Sequence, residues 1–391
     1  MNSNEYVDKA IYLLNNTLYT EALRECSKAI ELDPNNAEAY EIKGIAYYSV
    51  EEINKALDCF NKAISLNGKS SRAFCYRGIC YSTSLKATLK DIISFNKPSS
   101  FTLKCFDLDK SVIEAFTHCI NDETMAIQLD SDNLQAYQAR GIAYFWLEKY
   151  EYALIDLNKV INLCPNNDGF ETRAQIHFLF NNYNEAINDI NYVIKNNPEN
   201  PIAYDVRGRS YYLQKEYDKS VADLSKAIQL NPSNDMAYYY RGCSYYFKDC
   251  YNEAITDFEK CIKYNPANYS AYDYKARCHW FKKEFLQAVQ DETISISINP
   301  NNGSAYDFRG RAFYFLKDYN NAISDTSKAI ALGINNYSVF DCRGRSYFYM
   351  KQYKKAIDDF KTALQRKPNN RELTEFLKTV YAEMQAEGLV K

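Results

Sequence analysis

The sequence predicts an all-α protein, a solenoid of antiparallel helix pairs, on three observations: a small residue recurring every 34 positions, an aromatic residue four positions before it, and a proline closing most copies. The small column is Ala10, Gly44, Gly78, Gly141, Ala174, Gly208, Gly242, Ala276, Gly310 and Gly344. Successive spacings are 34 except for one of 63 and one of 33, so the period is broken once by 29 extra residues and once by a single deletion. Self-similarity at such a period is the signature of stacked supersecondary units.

The columns in phase with the small residue each have a mechanical reading. Four residues before it stand Tyr6, Tyr40, Phe74, Tyr137, Phe170, Tyr204, Tyr238, Tyr272, Tyr306 and Phe340, bulk that fills the space between successive helix pairs. Twelve residues after it stand Ala22, Ala56, Ala153, Ala186, Ser220, Ala254, Ala288, Ala322 and Ala356, which let paired backbones approach closely. Between one proline and the next, apolar residues at i, i+3, i+4 and i+7 fit two amphipathic helices. Proline cannot continue a helix, so Pro34, Pro165, Pro198, Pro232, Pro266, Pro300 and Pro368 end the second one, and the Asn, Ser or Asp that follows can cap the next. An isolated pair cannot bury its apolar faces, so the copies must stack.

The stretch 204–232, YDVRGRSYYLQKEYDKSVADLSKAIQLNP, carries the aromatic, Gly, Tyr, small and Pro positions together, and with them the chain resembles the tetratricopeptide repeat family. The resemblance covers ten repeats from residue 3 to 370 and implies a right-handed superhelical solenoid that binds protein or peptide ligands in a concave groove. Departures are local: Ala174 and Ala276 replace Gly, and Gly68, Ser131 and Ile334 replace Pro. After the last proline, Leu373, Phe376, Leu377, Val380, Tyr381 and Met384 form one helical stripe, read as a capping helix over 371–388.

The third repeat is interrupted by residues 84–112, SLKATLKDIISFNKPSSFTLKCFDLDKSV. Leu85, Leu89, Ile92 and Ile93 extend one helical stripe, Asn96 to Ser100 reads as a turn, and Leu103, Phe106 and Leu108 resume the apolar pattern. The expectation is a lengthened helical hairpin with arms of roughly 18 Å for about 12 residues each. It serves either as an accessory partner contact or as a tolerated insertion.

Two charged columns oppose each other. Just before the small residue stands a cation in all ten copies: Lys9, Lys43, Arg77, Arg140, Arg173, Arg207, Arg241, Lys275, Arg309 and Arg343. On the second helix an acid stands in nine: Glu25, Asp122, Asp156, Asp189, Asp223, Asp257, Asp291, Asp325 and Asp359, with Cys59 the exception. They predict an internal ion-pair ladder in which Arg309 reaches Asp325 or the equivalent Asp of an adjacent repeat.

By the family resemblance, residues three before, one after, and four to five after the small position face the groove. In the C-terminal half these are Asp205, Arg209, Tyr212 and Leu213; Tyr239, Cys243, Tyr246 and Phe247; Asp273, Arg277, Trp280 and Phe281; Asp307, Arg311, Tyr314 and Phe315; Asp341, Arg345, Phe348 and Tyr349. The Asp–Arg and aromatic pattern reads either as a self-neutralised polar surface or as a peptide site. In the second reading arginines hold carboxylates or carbonyls and aromatics supply contact area. The N-terminal half, with Ile11, Ile45, Ile79, Ile142, Glu38, Glu41, Tyr48, Phe145 and Trp146, is more apolar and somewhat acidic. Family members that hold the acidic C-terminus of Hsp70 or Hsp90 use a Lys three before the small residue; no copy has it here, which speaks against that ligand.

Composition narrows the function. Lys+Arg number 47 against Asp+Glu 50, so nothing supplies the cation excess that nucleic-acid binding needs. No apolar run approaches the length of a membrane span and the N-terminus has no signal-peptide pattern, so a cytoplasmic protein is expected. Twelve cysteines form no CxxC pair and the histidines are only His118, His177 and His279, so buried thiols are expected in place of disulfides or metal. No catalytic motif and no cofactor fingerprint occurs. The expected function is a non-enzymatic protein-interaction scaffold or adaptor without cofactor or metal. The alternative is a regulatory or secreted effector-type repeat protein engaging a foreign or signalling target.

Overall fold

In the computed structural model the described residues are 1–84, 110–165 and 169–387, and they contain 21 α-helices and no strand. They fall into two compact units, the first ending at Ser210 and the second beginning at Tyr211.

The first unit holds α1 Ser3–Asn15 and α2 Tyr19–Leu32, α3 Ala37–Ser49 and α4 Ile53–Leu66, α5 Ser71–Thr83 and α6 Lys110–Leu129, α7 Leu134–Trp146 and α8 Tyr150–Leu163, α9 Gly169–Leu179 and α10 Tyr183–Asn196, and most of α11, Pro201–Leu213. The second holds α12 Tyr217–Leu230, α13 Asp235–Phe247 and α14 Tyr251–Tyr264, α15 Tyr269–Phe281 and α16 Phe285–Ile298, α17 Gly303–Phe315 and α18 Tyr319–Ala331, α19 Tyr337–Tyr349 and α20 Tyr353–Arg366, and a last helix, α21 Arg371–Ala386. Sequence-neighbouring helices pack on each other from α1 to α10 in the first unit and from α12 to α21 in the second, and first helices of adjoining repeats also touch (α13 with α15, α15 with α17, α17 with α19). Second helices make no comparable contact with one another among the described residues, so within a unit the stack closes on its first-helix side. The first helices carry the columns expected to face a groove.

Helix starts and ends follow from local chemistry. An Asn after most turns, and Ser70 before α5, caps the next first helix: Asn234 Oδ1 accepts from Ala237 N–H at 3.0 Å and Asn336 Oδ1 from Val339 N–H at 3.0 Å, satisfying a donor the helix leaves open. Every first helix except α5 is followed within two residues by one in the left-handed region, among them Lys215, Lys283, Lys317 and Lys351 with φ of 58 to 64°. At Lys317 the next residue's N–H reaches back to Phe313 O at 2.9 Å, a Schellman closure without glycine.

The small column works by close approach. A Cβ at Gly44 would lie 2.7 Å from the Phe60 ring, at Gly242 2.9 Å from Phe258, and at Gly344 2.8 Å from Phe360. Alanine stands in the column where the residue facing it is slimmer than Phe, as in the pairs Ala10 with Cys26, Ala174 with Ile190 and Ala276 with Glu292.

The predicted ion-pair ladder forms, and it forms within repeats. Arg309 binds Asp325 of its own helix pair with Nε–Oδ2 at 2.7 Å and Nη2–Oδ1 at 2.9 Å. Arg77–Asp122, Arg140–Asp156, Arg173–Asp189, Arg241–Asp257 and Arg343–Asp359 repeat the bidentate geometry at 2.6 to 2.8 Å. Each fork also ties back one repeat: Arg241 Nη1 donates to Ser225 Oγ at 3.0 Å, Arg309 Nη1 to Thr293 Oγ1 at 3.1 Å, and Arg343 Nη1 to Ser327 Oγ at 3.1 Å. A column of Ser, Thr and Asn that the sequence reading passed over thus joins neighbouring repeats.

Helix α6 starts at Lys110, six residues before the periodic start at position 116, and buries Val112 with Phe116 and Cys119. The rest of the expected hairpin, Leu85 to Leu108, lies outside the described residues. Helix α21 buries Leu373, Val380 and Met384 against the last repeat, with Phe376 and Leu377 half-buried. Tyr381, expected on the same stripe, is 43% exposed, because the stripe is wider than the contact.

Candidate protein-binding face

On the first-helix face each groove Arg is held by the Asp one turn before it. Arg209 Nη1 lies 3.1 Å from Asp205 in the first unit. In the second, Arg277 grips Asp273 at 2.9 and 2.7 Å and donates to Ser304 at 2.8 Å; Arg311 Nη2 meets Asp307 at 2.7 Å; Arg345 meets Asp341 at 2.7 Å and Glu372 at 2.8 Å. Asp205, Asp273 and Asp307 are buried and Asp341 half-buried. The guanidinium groups lie over rings: Arg209 is 4.7 Å from the Phe178 centroid, Arg277 lies at 4.7 and 4.8 Å from Tyr274 and Phe308, Arg311 is 4.2 Å from Phe308, and Arg345 is 4.5 Å from Phe376. Burial opposes the charge on Arg277, but Asp273 outweighs it and holds that guanidinium above its ordinary pKa. Asp341 is pushed up by burial, with Arg345 pulling the other way.

The aromatic positions divide. Phe247, Phe281, Phe315 and Tyr349 are 46%, 44%, 50% and 48% exposed, one per repeat. Each lies parallel to the first residue of the preceding second helix: Tyr217 on Phe247, Tyr251 on Phe281, Phe285 on Phe315 and Tyr319 on Tyr349, with centroids 4.7 to 5.3 Å apart and planes within 11°. Tyr246, Trp280, Tyr314 and Phe348 sit half-buried behind them, and Tyr212 and Leu213 are also half-buried. Tyr239 differs: it packs among Tyr240, Phe258 and Tyr274, and burial drives its phenol well above the usual value. Cys243, on the same repeat, is fully buried.

In the first unit, Glu41 is buried and takes hydrogen bonds from Ser70 and Arg72 at a cleft of about 360 Å³. Ile45 is buried there, while Ile11, Ile79 and Ile142 are half-buried.

The sequence reading missed two carboxyls. Glu123 and Glu292 stand in a core column that elsewhere holds Cys26, Phe60, Leu157, Ile190, Leu224, Phe258, Thr326 and Phe360. Both are 0% exposed and no well-formed hydrogen bond reaches their carboxylate oxygens, with the Cys75 thiol near Glu123 and the Asp273 carboxylate near Glu292 within hydrogen-bond reach. Burial raises both pKa values well above the carboxylate range; at Glu292 the Asp273 charge adds to this and Arg277 opposes it. A charged residue in an otherwise apolar column was the available signal. Trp280 Nε1 and Arg311 Nε are likewise buried without a partner. The described cysteines are free thiols. Among the described residues no group of three His, Cys, Asp or Glu could hold a metal ion, and no helix is long and apolar enough to cross a membrane.

Residues 73–314 match the family described as ETO1 C-terminal domain, and residues 37–70 and 342–370 match tetratricopeptide repeat families. Anaphase-promoting complex subunit 3 of Schizosaccharomyces pombe is 24% identical over 169 residues, 41% of this chain; the match spans 24% of that protein's length. Similar solved structures include the APC/C hetero-tetramer Cut9-Hcn1 (13% identical, 97% of this chain and 84% of that one, TM-score 0.48) and Pseudomonas aeruginosa pilF (15%, 55% and 98%, 0.49). Yeast Tom70 aligns over 98% of this chain and 96% of its own, with 16% identity and a TM-score of 0.40.

Proposed function

The chain belongs to the family described as ETO1 C-terminal domain and is a tetratricopeptide repeat protein, and on that premise we propose that it is a non-catalytic adaptor holding an extended segment of another protein against its first-helix face. The ten repeats over 3–370 act as one scaffold, closed by the helix that follows, and work in the cytoplasm. The observation that carries this reading is the row Phe247, Phe281, Phe315 and Tyr349, large apolar rings left close to half exposed at the same place in four successive repeats. Single exposed apolar residues are ordinary, but a contiguous row of them is a mark of an interaction surface. The relative named as an anaphase-promoting complex subunit is by its name part of a larger assembly, which supports a partner-holding role.

Aromatic truncation is the cleaner test. Reversing Arg277 would set a new carboxylate against Asp273 and Glu292 and disturb the fold. Crosslinking capture with the intact chain beside a Phe281→Ala, Phe315→Ala variant should recover partner segments crosslinked near these repeats from the first and lose them from the second. Equal recovery from both would overturn the reading.

A further inference from the structure

We propose that the aromatic row of the second unit docks an uncharged, proline-rich segment in an extended polyproline II conformation. The inference rests on the adaptor reading above and names the chemistry of its ligand.

Charge comes first. Every groove Arg in this unit is neutralised by an Asp one turn away, at 2.7 Å in Arg277–Asp273, Arg311–Asp307 and Arg345–Asp341. In the repeat where Cys243 replaces the Arg, Tyr239 replaces the Asp, so the pair is lost as a unit. The strip is therefore neutral around Phe281 and Phe315, with one extra carboxylate, Glu372, on Arg345 at its end, and each guanidinium also lies over a ring at 4.2 to 4.7 Å from its centroid. An acidic peptide would find no cation without a carboxylate already on it, and a basic one would find the carboxylates beside Phe281 and Phe315 already paired with arginine.

Hydrogen-bonding capacity comes second. Both Asp273 oxygens and one oxygen each of Asp307 and Asp341 are engaged by Arg, and the unpartnered Asp307 Oδ1 is buried, while the Tyr246 and Tyr314 hydroxyls lie within hydrogen-bond reach of Arg277 and Arg345, so each can accept from the guanidinium and keeps its own O–H as a donor. The face thus offers donors and ring surfaces and few free acceptors. An ordinary peptide would bring backbone N–H groups, each costing about 1–3 kcal/mol if buried unpaired. Proline has no N–H, presents carbonyls, and in the polyproline II form has already given up most of its chain entropy. Its ring packs on aromatic faces, which Phe281 and Phe315 supply at the same place in successive repeats.

The test is fluorescence anisotropy of the full chain with a dye-labelled oligoproline of about ten residues, roughly 31 Å long at 3.1 Å per residue. Oligoglutamate and a Gly-Ser peptide of the same length serve as comparators. Oligoproline should bind saturably, with a Kd that stays within about twofold between about 50 and about 300 mM salt. Phe281→Ala with Phe315→Ala should weaken it about tenfold, the scale of a truncated aromatic anchor. Circular dichroism confirms that the variant is folded, since both side chains are substantially exposed. Tighter, salt-sensitive binding of oligoglutamate, an unchanged Kd in the variant, or no oligoproline binding would overturn the proposal. Should captured partners depend on Phe281 and Phe315 yet contain no proline-rich run, this inference fails while the adaptor reading stands.

Discussion

Replacing Glu292 with Leu should make the protein more stable, and more so as pH rises. Glu292 is 0% exposed, without a well-formed hydrogen bond and with the Asp273 carboxylate within reach, at a core position where two other repeats bury Leu157 and Leu224. A buried carboxylic acid without well-formed hydrogen bonds costs about 1–3 kcal/mol, and Leu adds apolar burial in the same volume. A gain of about 2 kcal/mol follows at acid pH, where folded and unfolded chains both keep the proton. The folded pKa is raised, so this carboxyl keeps its proton at pH values where the unfolded chain has lost it. Its contribution is therefore most favourable below the unfolded value, about 4.3, and declines by about 1.4 kcal/mol per pH unit above it until the folded pKa is passed. The advantage of Glu292→Leu should therefore widen as pH rises from 5 to 7. Glu292→Gln, neutral at every pH, should lose the same pH slope while gaining less stability. Urea unfolding read from Trp280 fluorescence in a Trp146→Phe background follows the repeat that contains the site, because the chain's 2 tryptophans are Trp146 and Trp280. A Leu variant less stable than the parent at pH 7, or an advantage that does not grow with pH, refutes the assignment of Glu292 as a buried neutral acid.

Two further outcomes follow from the packing. Asp325→Lys removes the bidentate partner of Arg309 and sets two cations together near the helix contact, at a site where the Asp side chain is only 9% exposed. A loss of about 3–5 kcal/mol is expected by denaturant titration, and an unchanged midpoint would refute the ladder's structural role. Gly44→Ala should destabilise by about 1–2 kcal/mol although alanine is the better helix former, because its Cβ would sit 2.7 Å from the fully buried Phe60 ring. Adding Phe60→Ile, the residue that faces Ala174 in the fifth repeat, should recover part of that loss in a double-mutant cycle.

How much was legible differs from feature to feature. The helix pairs were readable because the Gly, aromatic and Pro columns act locally, through helix periodicity, close approach and chain termination. The Arg309–Asp325 pairing was legible as two matched columns, but the sequence left open which repeat supplied the acid. The stacking of Tyr251 on Phe281 joins residues 30 apart with no signature of their own. Glu123 and Glu292 were visible as charged residues in an apolar column, yet their meaning depends on full burial, which spacing does not reveal.

The family resemblance pointed to the groove-facing columns, and the sequence by itself determined the repeat and its all-helical class. Those are consequences of short-range periodicity, and ten copies in phase make them unambiguous. Only the tertiary structure decided that the groove arginines are already spent on their own aspartates and that four aromatic rings remain exposed beside them. The reason is that charge and exposure belong to surfaces assembled from several repeats. Whether a side chain is free for a partner depends on neighbours that docking brings to it.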